Sequence, residues 1–108
     1  MVQPIMKDII FLAHKAEEAT PADLPVALAI ASSFRDQPLD DQLAAIGELG
    51  LTGEIRSVSD LPKRLTELSR LGFTACVIPR QGTDGIAAPE GLKLLRVRNL
   101  REALAVVF

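Results

Sequence analysis

Groups able to do covalent chemistry are sparse in this chain. It has one cysteine, Cys76, and one histidine, His14. Together they cannot build a zinc site of the usual Cys/His kind, and one cysteine excludes an internal disulfide. Cys76 lies in the apolar run Ala75-Cys76-Val77-Ile78 and reads as a small buried hydrophobe rather than a nucleophile. His14 has no Ser, Cys or carboxylate arrangement nearby that suggests catalysis, so it reads as a surface residue. Asp40-Asp41 is too weak a signal for a hard-metal site. Glu48 sits among glycines, where a structural or edge role outweighs that of a working buried acid. Arg56, Lys63, Arg64 and Arg70 are the candidates for a face that meets phosphate or a neighbouring subunit. The sequence pI of 5.3 weighs against the phosphate reading.

The elements that must position these residues turn on Ile46–Arg56. Here an apolar approach runs into Gly47, Gly50 and Gly53, then Glu54, Ile55 and Arg56. Glycines inside a strand-like run mark a bulge, a tight bend or a close backbone approach. The spacing predicts a central strand over Leu43–Leu51, a Thr52-Gly53 turn, and a return strand over Glu54–Val58. Before it, Thr20-Pro21-Ala22-Asp23 supplies helix-start chemistry. A helix over Leu24–Phe34 then buries Leu24, Ala27, Leu28, Ala31 and Phe34, with Ile30 widening the face. Arg35-Asp36-Gln37-Pro38 ends it.

After the return strand, Ser59-Asp60-Leu61-Pro62 opens a second helix with the stripe Leu61, Leu65, Leu68 and Leu71, stopped at Gly72. Thr74–Ile78 and Lys93–Val97 read as short strands. Gln81–Gly91 reads as an exposed loop with a turn of helix near Ile86. Asn99-Leu100-Arg101-Glu102 begins a last helix with Asn as cap, Glu at the third position, and Leu100, Ala103, Leu104 and Val107 inward. Asp8–Ala13 fits a strand or the middle of a short amphipathic helix, since short apolar runs do not decide between periods, and an additional strand is the favoured expectation. The string describes one α/β domain over residues 1–108, with helices packed on a mixed sheet.

Composition narrows the function classes. Trp and Tyr are absent and Phe occurs four times, so nucleic-acid binding by base stacking is disfavoured. No stretch approaches the roughly 18 apolar residues that a membrane span needs. The N-terminus lacks the pattern of a signal peptide, so a cytoplasmic location without membrane contact is expected. Charge is unevenly placed. Met1–Gly53 holds three Lys/Arg against eight Asp/Glu, and Glu54–Phe108 nine against six, or about −5 and +3. Two solvated faces are the plain explanation. A self-complementary, head-to-tail homo-oligomer is the sharper one.

Several segments carry a resemblance. Asp23–Asp36 looks like the long helix, and Gly47–Arg56 the segment after it, in the C-terminal domain of the bacterial RadA/Sms DNA-repair family. The likeness continues through Arg64-Leu65, Leu71-Gly72-Phe73, Val77-Ile78-Pro79 and Asn99–Leu104. That domain is similar in fold to the proteolytic domain of Lon proteases, and the magnesium-chelatase-like ComM proteins share its helix and glycine pattern. The resemblance implies a Lon-like α/β domain, N-terminally shortened, from families that work as ATP-driven rings. The chain has neither the cysteines for a four-cysteine finger nor a Gly-x-x-x-x-Gly-Lys-Ser/Thr loop. The expected unit is thus a domain without an ATPase and without a cofactor, either a fragment or a stand-alone descendant.

Lon-type proteolysis needs a serine at the start of the long helix and a lysine on the next one to take its proton. By the resemblance, the serine position falls on Pro21 or, with a gap, on Val26, and the lysine position on Pro62. Lys63 is adjacent, but one residue rotates a helical side chain by about 100°. Ser32 and Ser33 lie at the far end of the helix. The expectation is a non-catalytic platform for oligomerisation and interaction in DNA repair and recombination, with a ring, DNA or a parent protein's ATPase domain as partners. A DNA-binding module and a diverged Ser/Lys peptidase are the alternatives.

Overall fold

The computed structural model describes residues 22–108, so the expected strand at Asp8–Ala13, His14 and Pro21 lie outside the described residues. Nine elements follow: β1 (Ala22–Asp23), α1 (Leu24–Arg35), β2 (Leu43–Ala45), β3 (Glu48–Leu49), β4 (Ile55–Arg56), α2 (Leu61–Arg70), β5 (Ala75–Pro79), β6 (Lys93–Val97) and α3 (Leu100–Val107). The α/β class and the three helices are as expected, but the strands differ in number and place. Both pairing senses are present, divided between two three-stranded ladders: β1-β3-β4 is antiparallel, and β2-β5-β6 is parallel.

The expected single strand over Leu43–Leu51 is therefore two. β2 lies in the parallel ladder, and β3 is the middle strand of the antiparallel one. The chain changes ladder at Ile46-Gly47. Ile46 N still donates to Val77 O at 2.9 Å, whereas Gly47 O accepts from Leu24 N at 2.9 Å and satisfies the first amide of α1. A Cβ at Gly47 would come within 2.9 Å of Ile55 Cγ2, so only glycine lets the strand cross this closely. The return strand is also shorter than expected. Glu54 bridges to Asn99, and Ile55 N donates to Arg98 O at 3.0 Å, which locks the hairpin onto the start of α3.

Side-chain alternation in the parallel ladder sorts the core onto two faces. Val77, Leu95 and Val97 face α1 and α3, where Leu24, Ala27, Leu28, Leu100, Ala103 and Leu104 complete the larger cluster. Cys76, Ile78 and Leu94 face α2, packing with Leu61, Leu65 and Leu92. Two inward expectations fail. Phe34 is 40% exposed in the last turn of α1, and Leu71 is 67% exposed as the residue that caps α2.

Helix ends follow local chemistry, with corrections. Ala22-Asp23 pairs with β3 instead of opening α1. Asp60 precedes α2 in a left-handed conformation and makes no side-chain cap bond. At the other end of α2, Gly72 adopts φ 94°; its amide donates to Ser69 O, and Phe73 N donates to Leu68 O, the Schellman arrangement. Asn99 Oδ1 accepts from Glu102 N at 2.9 Å as expected, but the Glu102 carboxylate accepts from Arg98 N, one residue before the cap. Residues 80–92 form turns with no helix near Ile86. Thr83 is fully buried within that loop, its hydroxyl within 2.7 Å of Pro79 O and 2.9 Å of Arg80 O. Among the described residues no helix is long and apolar enough to cross a membrane.

Candidate interaction surface

The four basic candidates do not converge on one patch. Lys63 and Arg70, seven residues apart, share one side of α2, and Arg64 points about 100° away from Lys63. Arg70 lies 3.6 Å from Glu67, one turn back. Arg64 Nε donates to Ser59 O at 3.1 Å, which holds the chain entering α2. Lys63 is exposed and makes no ion pair among the described residues.

Arg56 sits apart, on β4, and is already matched by carboxylates. It lies 3.1 Å from Glu54 and 4.0 Å from Glu48, its partner across the two strands. Glu54 also accepts from Thr52 Oγ1 at 2.9 Å and from Thr52 N at 3.2 Å. The Thr52 hydroxyl, then Arg56, draw the Glu54 carboxyl from its ordinary 4.5 down to about 2. Sequence reading missed this cluster, although a Thr-Gly turn followed by Glu-x-Arg was its signal. A Cβ at Gly50 would overlap the Glu54 carboxylate, so glycine leaves the acid its seat. Two open depressions flank the hairpin, of about 340 Å³ over Glu48–Arg56 and about 530 Å³ between Glu54, Ser57 and Gly82. Leu51 stands at the hairpin tip, 77% exposed.

Of the positions to which the resemblance assigns a dyad, Val26 and Pro62 lie among the described residues. Val26 is half-buried and packs against the larger cluster. Pro62 is exposed in the first turn of α2 and belongs to a depression shared with Gly85–Pro89. Between the starts of α1 and α2 lies a hollow of about 120 Å³ lined by Pro25, Ala45, Ile46, Gly47, Val58 and Arg64. None of its lining side chains carries a hydroxyl, a carboxylate or an amine. Ser32 is at the opposite end of α1, where its hydroxyl donates to Gln37 O. Burial pushes the Cys76 thiol up to about 12, leaving it protonated. Asp40 is used locally, its carboxylate accepting from Gln42 N at 2.8 Å to set the turn into β2. Among the described residues no group of three His, Cys, Asp or Glu could hold a metal ion.

Residues 9–82 match the family model ChlI, described as subunit ChlI of Mg-chelatase, and the chain belongs to that family. Within it, the resemblance to the RadA/Sms proteins holds. The chain is 44% identical over 86 residues to the DNA repair protein RadA of Streptococcus pneumoniae, covering 80% of this chain and 20% of that protein. With RadA of Bacillus subtilis it is 45% identical over 82 residues, 76% of this chain and 18% of the relative. For RadA of Mycolicibacterium smegmatis the figures are 47% over 83 residues, 77% and 17%. The chain thus spans about a fifth of the length of the curated relatives it matches.

Proposed function

We propose that this chain is a non-catalytic, Lon-like domain of the RadA type, serving as a platform for assembly and interaction in DNA repair and recombination. The observation that carries the reading is the hollow between α1 and α2. It opens beside the starts of the two helices on which the resemblance would place the dyad, and its lining side chains are apolar apart from the Arg64 guanidinium. A hydroxyl without a base beside it is a poor nucleophile, and here the hydroxyl itself is lacking. The names of the relatives support the DNA-repair context. The uneven charge and the exposed Leu51 and Leu71 support a surface made for contact.

Sedimentation of the purified chain at two concentrations tests the platform. Concentration-dependent homo-oligomers, with a ring as the closed form, are expected, and a strict monomer at high concentration removes the self-assembly part of the proposal. A fluorescent casein assay tests the absence of chemistry. No turnover is expected, and turnover lost in Lys63→Ala would overturn it.

A second reading, a DNA-binding module in its own right, is favoured by one observation. Lys63 and Arg64 stand exposed near the start of α2 without carboxylate partners among the described residues. Titration with single-stranded and branched DNA at two salt concentrations decides it, because phosphate contacts give steep salt dependence. Failure to bind at low salt eliminates the reading.

A further inference from the structure

β6 ends the parallel ladder, with β5 on one side and no strand among the described residues on the other. Its hydrogen-bond alternation is fixed at both ends. Lys93 N donates to Thr74 O, and Val97 O accepts from Arg80 N. Lys93, Leu95 and Val97 therefore turn their amides and carbonyls toward β5, and Leu94 and Arg96 turn theirs outward. On that outer side no backbone partner for Leu94 or Arg96 is present among the described residues.

Burial tells the same story. Cys76, Val77 and Ile78 are fully buried, yet Leu94, Leu95 and Arg96, their partners in register, are only half-buried. Above Val97 the edge is closed, since β4 meets Arg98-Asn99. Below that point, among the described residues, β6 offers bare peptide groups, the template onto which another strand adds.

The charge along this edge selects the occupant. Lys93 and Arg96 lie on β6 itself, and Arg98 and Arg101 follow it. None of the four forms an ion pair among the described residues. The nearby Glu102 carboxylate is occupied by Arg98 N, and the Arg96 guanidinium is held beside the edge by a 2.6 Å bond to Ile86 O. A second copy of β6 fits poorly. Antiparallel pairing about Leu95 would set Arg96 opposite Leu94 and Lys93 opposite Val97, and the strand Lys93–Val97 brings no carboxylate to either cation.

We propose that the β6 edge accepts an extended, carboxylate-bearing segment of a partner protein as a fourth strand. Main-chain bonds to Leu94 and Arg96 hold it, with its acids beside Lys93 and Arg96. The inference rests on the reading of the domain as an interaction platform and names the partner's chemistry. Self-assembly is read separately by sedimentation, so either can fail alone.

The test uses the full chain and a fluorescein-labelled, eight-residue peptide, Glu-Glu-Val-Val twice over so that both faces of the added strand carry acids. Binding is followed by anisotropy and by amide exchange in NMR. Saturable one-to-one binding is expected, with new protection at the Leu94 and Arg96 amides. A Lys–Val peptide should bind at least tenfold more weakly. Leu94→Pro removes an outward N–H and spares the bonds to β5, as proline on an edge strand can; it should weaken binding at least tenfold. Lys93→Glu, at an exposed position, keeps the test intact if the proline variant does not fold, and should weaken binding in the same sense. The proposal is overturned by no saturable binding, by affinity that either variant leaves unchanged, or by equal affinity for the Lys–Val peptide. Leu94 and Arg96 amides already protected in the free chain would overturn it too. So would a concentration-dependent dimer that Leu94→Pro abolishes, which would assign the edge to a second copy.

Discussion

The two faces of the parallel ladder carry helices of different character. On one, α1 and α3 bury seven residues between them, from Leu24 to Leu104, and the hairpin residues Leu49 and Ile55 close the same cluster. On the other, α2 buries only Leu61 and Leu65, and the turns of residues 80–92 cover the rest through Ile86 and Leu92. The first face reads as stability. The second keeps Lys63, Arg64 and Arg70 in solvent and ends in an exposed Leu71. One sheet thus separates a face with two well-buried helices from a face whose single helix, among the described residues, keeps most of its surface in solvent.

Breaking that comparison starts with the core. Leu28→Ala, on the closed face, should cost about 2–5 kcal/mol in urea unfolding, and Leu68→Ala, half-buried on the open face, about 1 kcal/mol. Equal losses would mean that the two faces contribute alike. Gly72→Ala places a side chain at φ 94° with nothing within 4 Å to clash, so backbone strain alone should cost about 1–2 kcal/mol. A neutral result would mean that the end of α2 relaxes freely. Asn99→Ala removes the cap of α3 and should cost about 1 kcal/mol in the same measurement.

The smallest effects sharpen the picture at the hairpin and at the thiol. Glu54 is a depressed carboxylate, so its contribution is complete above the ordinary value of 4.5 and is lost as pH falls toward about 2. An NMR titration of Glu54 should show the low midpoint, and Thr52→Ala should move it up. An unchanged midpoint would remove the threonine from the explanation. Cys76, fully buried and with its pKa near 12, should resist alkylation at pH 8 in the folded chain and react once urea unfolds it. Fast labelling of native protein would place it on a surface.

How much was legible depended on how local the cause was. α1 and α3 could be read because their apolar residues recur at helical spacing. Gly72 could be read because a left-handed stop has a residue signature. β6 was placed at its own bounds from a short β-branched and aliphatic run. The division of Leu43–Leu51 was not legible, since it depends on Ile55 and Leu24 arriving at Gly47 from elsewhere in the chain. Thr83 was equally hidden, because a threonine in a Gly- and Pro-rich stretch looks like any other loop residue until the loop closes over it. In the interaction surface, the types of Arg56, Lys63, Arg64 and Arg70 were plain, but their grouping was not. Arg56 faces its own carboxylates, and the three on α2 point in more than one direction.

By itself the sequence determined the α/β class, the positions of the three helices, the inward faces of α1 and α3, the poverty in nucleophiles, and the family. All of these rest on residue identity and near-neighbour spacing, which need no fold to act. Only the tertiary structure decided where the chain leaves one ladder for the other, which cations are neutralised, and which strand has an open edge among the described residues. Those outcomes depend on residues far apart in the chain meeting in space, and no local pattern carries that information.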